Sequence, residues 1–205
     1  MLVNGYIQQN NKKGIKMARI QDFKSQMQYG GSRSNQFICT ITFPAWADPT
    51  GQAGPKCQFL ISSASLPEQT LGVATVPYRG REVKWAGDRT FAPWSVNVYN
   101  DADFVIRNAF ELWSQGIVEN QSNNGFTDKS QYQVNARVDQ LDRNDNILKT
   151  YTFVDLWPVQ IGDIALDFGA NDQIEIFPVT FDYLLFETPT ADASNIVAGL
   201  AAGNF

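Results

Sequence analysis

A mainly β fold with one amphipathic helix is what this sequence predicts, and three observations predict it. Short runs of β-type residues recur through the body of the chain, bounded by Pro, Gly, Asn and Asp. One segment alternates apolar and polar side chains with period two. Only one stretch carries its apolar residues at helical spacing.

Residues 1–16 are rich in Asn, Gln and Lys and show little pattern, so they read as an extension. Met17 looks like a fresh start, and the body begins near Arg33. The division expected is a polar, basic extension at 1–32, a β domain at 33–187 and a small-residue tail at 188–205. Asn35 to Phe43 and Lys56 to Ser63 read as short strands. Between them, Pro44-Ala-Trp-Ala-Asp-Pro-Thr-Gly51 reads as a loop from its turn residues. Gly80 to Trp85 and Trp94 to Tyr99 read as further strands.

The helix is expected over Asp101 to Ile117. Ile106, Phe110, Trp113 and Ile117 form one apolar stripe at spacings of four, three and four. Asn100, Asp101 and Asp103 offer N-cap oxygens, and Gly116 lies close to where the helix should stop. Asn120 to Ser130 is a polar loop. Tyr132, Val134, Ala136 and Val138 then alternate with Gln133, Asn135, Arg137 and Asp139, a strand with one buried face. Asp142 to Asn146 supplies turn chemistry, and Ile147 to Trp157 returns as the second strand of a hairpin. The last strand changes phase. Ile174 and Ile176 are apolar at even positions, whereas Val179, Phe181, Tyr183 and Leu185 are apolar at odd ones. Pro178 stands at the switch, where a bulge is expected. After Glu187 the chain turns to Ala, Ser, Thr and Gly, a tail expected to be mobile unless a partner orders it.

Composition limits the function. Length suits one domain, and 43% hydrophobic with 13% aromatic residues is enough for a filled core. Only 18% of residues are charged, against about 25% in ordinary soluble proteins. A surface poor in charge points to contact with other chains. The net charge of −5 hides a +5 balance over residues 1–33 and −10 over the rest. An acidic body argues against tight nucleic-acid binding, which needs phosphates neutralised by Lys and Arg. No run reaches the roughly 18 apolar residues of a membrane span, and no membrane partner is expected.

Catalytic chemistry has few places to reside. The sequence contains no histidine, which removes Ser-His-Asp and Cys-His systems and His-ligated metals. No phosphate-cradling glycine motif is present. Asp139, Asp142 and Asp145 are conceivable calcium ligands but lie on a predicted turn that favours Asp anyway. Asp163, Asp167, Asp172 and Glu175 could hold a carboxylate pair, with nothing to set their separation. Trp94 and Trp157 fall in strand patterns and Trp113 in the helix stripe, which suits core or interface packing. Cys39 and Cys57 stand in apolar runs without a C-x-x-C spacing and read as buried free thiols. No enzyme activity, metal or cofactor is expected.

The segment from Ser63 to Asp101 carries Ala64-Ser-Leu-Pro67, Val76-Pro77, Trp85-Ala-Gly-Asp-Arg-Thr-Phe91, Trp94-Ser-Val-Asn-Val and Asn100-Asp101 before the helix. Later stand Leu156-Trp-Pro158, Gly162-Asp163, Leu166-Asp167 and Glu175-Ile-Phe-Pro-Val-Thr-Phe-Asp182-Tyr183, and earlier Arg33-Ser-Asn-Gln-Phe37. Taken in order, this set resembles the tail tube protein family of contractile-tailed bacteriophages over about Arg33 to Tyr183. The two terminal extensions depart from it.

The resemblance implies a β-sandwich or barrel-like, ring-forming subunit with one flanking helix. It implies six copies in a ring, rings stacked into a tube, DNA passing through the lumen without specific binding, and a contractile sheath outside. Baseplate and tail terminator proteins are the further partners implied. The expected location is the virion, after assembly in the bacterial cytoplasm. On this reading Gln133, Asn135, Arg137 and Asp139 face the lumen, where acidity would repel phosphate and Asp139 could pair with Arg137. Asp88-Arg89 is expected to be a turn with an ion pair at a subunit or ring contact. The basic residues Lys12, Lys13 and Lys16 are expected to clip a neighbouring copy. The alternatives are the tube of a secretion system or phage-derived injection machine, and a carbohydrate-binding β-sandwich of a tail fibre.

Overall fold

The structure is a computed structural model, and it describes residues 20–27 and 31–189. A short exposed helix, α1 (Ile20–Gln26), precedes the body. Seven strands then make one antiparallel sheet: β1 (Phe37–Ile41), β2 (Ile61–Ala64), β5 (Trp94–Tyr99), β6 (Val134–Leu141), β7 (Ile147–Ile161), β8 (Ile176–Asp182) and β9 (Leu185–Glu187). The order is β1-β6-β7-β8-β5-β2, with β9 also paired to β7. A separate two-stranded sheet pairs β3 (Gln69–Tyr78) with β4 (Arg81–Phe91).

The long β7 organises the sheet. Its first part pairs with β6 (Arg137 opposite Thr152, Val138 opposite Tyr151) and its last part pairs with β8 (Gln160 opposite Thr180). β9 continues the line of β8 after a break at Tyr183–Leu184, with Phe186 opposite Phe153. Asp155 takes φ +56° in the middle of β7, where the pairing with β6 shifts register. Such bulges bend a strand and let one chain serve two parts of a sheet.

Period-two alternation decides which face is inside. Trp94, Val96 and Val98 of β5, Phe177, Val179 and Phe181 of β8, and Ala136 and Val138 of β6 are all buried. The predicted helix, α3 (Val105–Ile117), lays Ile106, Ala109, Phe110 and Trp113 on that face. Phe110 meets Phe177 and Phe181 at ring centroid distances of 6.4 and 5.8 Å. Trp94 stacks on Phe153 at 4.4 Å. The indole N–H groups do not go unpaired in this apolar centre: that of Trp113 donates to the Tyr132 carbonyl at 2.8 Å and that of Trp94 to Ser65 at 2.7 Å. Cys39 and Cys57 are free and buried, as their apolar surroundings suggested.

Three local expectations are corrected. The run from Lys56 is not a strand from its start: a helix, α2 (Ala53–Leu60), occupies it, and only Ile61–Ala64 is extended. The Asp48 carboxylate accepts the backbone N–H groups of Gln52, Ala53 and Gly54 at 3.2, 2.8 and 3.4 Å, and Pro55 sits in the first turn, where no N–H is needed. Ala53 and Cys57, four apart, form the buried face. At α3, Asn100, Asp101 and Asp103 do not cap. Phe104 occupies that position with φ +54° and no side-chain cap bond, while Asp101 and Asp103 hold Lys56 at 2.9 and 3.1 Å.

Pro178 causes no phase change. Phe177, Val179 and Phe181 share one face and β5 pairs through Asn97 and Pro178 without interruption. The irregularity lies in β7, between Pro158 and Gln160. Pro178 falls one residue beyond the last β7 pair, Ile161 with Val179, and its carbonyl accepts the Gly162 N–H at 2.7 Å. Gly116 lies close to the helix end, as expected, one residue before the last residue of α3. A Cβ there would overlap the Trp46 ring, so close approach explains the glycine.

Candidate assembly interface

Three surfaces are left unfinished by the described residues. The first is the β3–β4 hairpin. Gly80 at φ +79° and Arg79 at φ +46° turn it. Val76 pairs with Val83 and Ala74 with Trp85, while Thr75 pairs with Lys84 and Pro77 with Glu82. Directly paired residues share a face. One face therefore carries Ala74, Val76, Val83 and Trp85, with Tyr78 and Arg81 at the turn, and the other mixes Thr75, Glu82 and Lys84 with Val73, Pro77 and Ala86. Every residue of β3 is exposed, and Trp85 is 56% exposed. Among the described residues nothing covers the apolar face.

Asp88-Arg89 belongs to this hairpin. Both residues lie inside β4 and not in a turn. The Arg89 guanidinium donates to the Gln69 side-chain oxygen at 3.1 Å across the strands, so the expected ion pair with Asp88 is replaced by a cross-strand hydrogen bond. A register shift between Leu71 and Val73 lies beside them. A Cβ on Gly87 would come within 3.0 Å of the Gly72 backbone, so these two glycines let the strands press together there.

The second surface is the pair of sheet ends. Among the described residues β1 and β2 each pair on one side only, which leaves rows of backbone N–H and C=O groups without ladder partners. α2 spans the gap between them. A shallow cleft of about 440 Å³ opens at this seam, lined by Phe37 and Ile38 of β1, Ile61 and Ser62 of β2, and Tyr99. Phe59 projects from α2 beside it, 84% exposed.

The third surface is the sheet face turned away from the core. Arg137 lies on it between Thr40 and Thr152, and Thr152 pairs in turn with Glu187. Ser95 bonds Thr180 at 3.1 Å on the same face, and Asn97 bonds Ser63 at 2.8 Å. Asn135 is exposed there and its side-chain oxygen accepts the Asp155 N–H. Gln133 stands just before β6, half-buried. Asp139 pairs with Arg137 as expected but departs from expectation in its burial. It is 2% exposed, and its carboxylate accepts from the Arg137 Nε at 2.8 Å and the Thr150 hydroxyl at 2.6 Å. It is thus a buried counter-ion and not an exposed repulsive charge. Lys12, Lys13 and Lys16 lie outside the described residues.

Among the other acidic candidates, Asp142, Asp167 and Glu175 have structural partners. Asp142 shapes the β6–β7 turn: one carboxylate oxygen accepts the N–H groups of Asn144 and Asn146 at 2.7 and 2.9 Å, and these bonds with the Asn146 amide hold its pKa below the ordinary value. Asp145 takes the left-handed conformation in that turn. Glu175 accepts from the Asn100 amide at 2.7 Å, and Asp167 from the Gly169 N–H. No group of three metal-ligating side chains converges among the described residues. No described helix is long and apolar enough to cross a membrane.

What sequence reasoning missed was β3, whose residues lack strict alternation, and the hairpin it makes. The signal that could have found it was the Tyr-Arg-Gly turn at 78–80 between two β-type runs.

Known proteins match this arrangement. The profile of the phage tail tube protein family matches residues 32–188. The chain is 31% identical over 169 residues to the tail tube protein of Serratia phage KSP90, covering 82% of this chain and 95% of that one. It is 33% identical over 129 residues to tail tube protein gp19 of Enterobacteria phage T4, covering 62% and 78%. Among solved structures, the fold resembles a chain of the anti-feeding prophage tube-terminating cap, with TM-score 0.56 at 14% identity over 78% of this chain and 92% of that one. A chain from the sheath/tube terminator of the extracellular contractile injection system PVC gives 0.52 at 13% identity, over 77% and 96%. With a match that spans nearly the whole described body and curated relatives of the same kind, the chain belongs to the phage tail tube protein family.

Proposed function

We propose that six copies of this chain close into a ring, that rings stack into the inner tube of a contractile tail, and that the tube conducts DNA into the host. The observation that carries this reading is the β3–β4 hairpin, which extends an apolar face that no described residue covers. A lone two-stranded hairpin is marginal in water, and a face bearing Trp85, Val76 and Val83 gains by burial against a neighbouring copy. The edges of β1 and β2, unpaired among the described residues, support ring closure, since joining the sheets of adjacent copies would satisfy their backbone groups. Heterologous contacts that close make rings, and repetition along the axis makes a filament.

In this arrangement the polar sheet face with Gln133, Asn135 and Arg137 lines the channel, and Asp88-Arg89 at the hairpin base lies at a contact between copies. Lys12, Lys13 and Lys16 would clip an adjacent subunit. A contractile sheath encloses the tube, with baseplate and terminator proteins at its ends, and the assembled protein resides in the virion after assembly in the host cytoplasm. The curated relatives, which are phage proteins, favour DNA as cargo over the effectors of an injection machine. Negative-stain electron microscopy over a range of protein concentrations tests the reading. Hollow rings or stacked tubes are expected. Solid fibres without a lumen would refute it.

A further inference from the structure

Arg137 is the only cation that strand register places on the polar face, among the described residues. Its row runs Thr40, Arg137, Thr152, Glu187, and the next runs Ile38, Asp139, Thr150. The guanidinium carries its side chain 52% exposed, so solvent or a polyanion on that face reaches it. Left alone it would be a strong phosphate ligand, because its planar fork matches two phosphate oxygens.

It is not left alone. Asp139 is two residues further along β6, on the same face, and is the only charged side chain among the buried residues described. Its Oδ2 accepts from the Arg137 Nε at 2.8 Å, and its Oδ1 is held by the Thr150 hydroxyl at 2.6 Å. A carboxylate buried between Ile38 and Thr150 cannot swing into water, so its charge stays beside the guanidinium. Around the pair the face offers Ser, Thr and Asn side chains, which bind phosphate weakly, and the acidic Glu187.

We propose that Asp139 is a charge mask. It neutralises Arg137 in place, so that the face presents hydroxyls, amides and a negative surplus to a phosphate polyanion and retains none of it. The proposal rests on the reading that this face lines a channel for DNA.

The test uses the full chain and a short fluorescein-labelled DNA duplex, read by fluorescence anisotropy at about 50 and 200 mM salt, the range over which phosphate contacts lose most affinity. Asp139→Asn keeps the size of the side chain and an acceptor for Thr150 while removing the charge. It is expected to bind the duplex more tightly than the parent. That advantage should shrink about threefold between the two salt concentrations, as one added phosphate contact requires. The double variant Asp139→Asn with Arg137→Gln should return to the parent affinity. A folded Asp139→Asn protein with parental affinity would overturn the mask, as would a double variant that binds as tightly as the single one.

Should Asp139→Asn fail to fold, Ser95→Arg supplies the second arm. It adds an unmasked guanidinium to the same exposed face. Raised, salt-sensitive duplex binding supports the idea that masking matters there, and no gain overturns it. The channel reading is separable. In assembled tubes an Asn135→Cys thiol should react with a small maleimide and not with one bearing a long polymer. Reaction with both would overturn the channel placement, whatever the anisotropy shows.

Discussion

Cys39 and Cys57 illustrate how burial sets chemistry at a single residue. Neither is appreciably exposed. Burial pushes the Cys57 thiol up to about 12, and burial, with Cys57 and Asp139 nearby, pushes Cys39 well above its ordinary value. Since the thiolate is the nucleophile, both should be inert at neutral pH. The expected outcome with a thiol-reactive dye is no labelling of native protein and labelling of both residues in denaturant. Rapid labelling in native buffer would show that β1 and α2 separate readily. Asp139 teaches a related point. Counted as a charge in the sequence, it looks like surface repulsion; bonded to Arg137 and Thr150, it is local neutralisation.

At the scale of elements, α3 is the part that closes the core. Its stripe was readable because a helix returns to the same face every 3.6 residues, and Ile106, Phe110 and Trp113 are buried where that period puts them. Phe110 contacts Phe43, Trp113, Phe177 and Phe181. Phe110→Ala should therefore destabilise the fold by about 3–5 kcal/mol. Urea unfolding should show a lower midpoint with an unchanged slope. A loss below about 1 kcal/mol would mean that the helix packs loosely. The start of α3 was less legible. Asn100, Asp101 and Asp103 are good capping residues in isolation, but Lys56 from α2 and Glu175 before β8 draw their side chains away. Competition from partners distant in sequence has no local signature.

For the whole molecule, the unsatisfied surfaces matter more than the satisfied ones. On the proposed reading, the hairpin, the open sheet ends and the polar sheet face are where further copies would join. Trp85→Glu places a charge on the uncovered apolar face without touching the core. It should leave the melting temperature within a few degrees of the parent, as for surface changes of about 0.5 kcal/mol or less, while abolishing tubes in electron micrographs. Tubes of normal abundance would remove the hairpin from the assembly interface.

Sequence alone determined the β character, the helix stripe, the alternating strand β6 with its turn at Asp142, and the family, because each rests on local periodicity or on residues in fixed order. Tertiary structure alone decided the rest. It made α2 a helix through Asp48, moved the irregularity from Pro178 to β7, drew Asp88-Arg89 into a strand and buried Asp139 beneath Arg137. The physical reason is common to all four: each depends on a hydrogen bond, ion pair or strand pairing to a residue elsewhere in the chain, and a linear pattern records what a residue is without recording what it will meet.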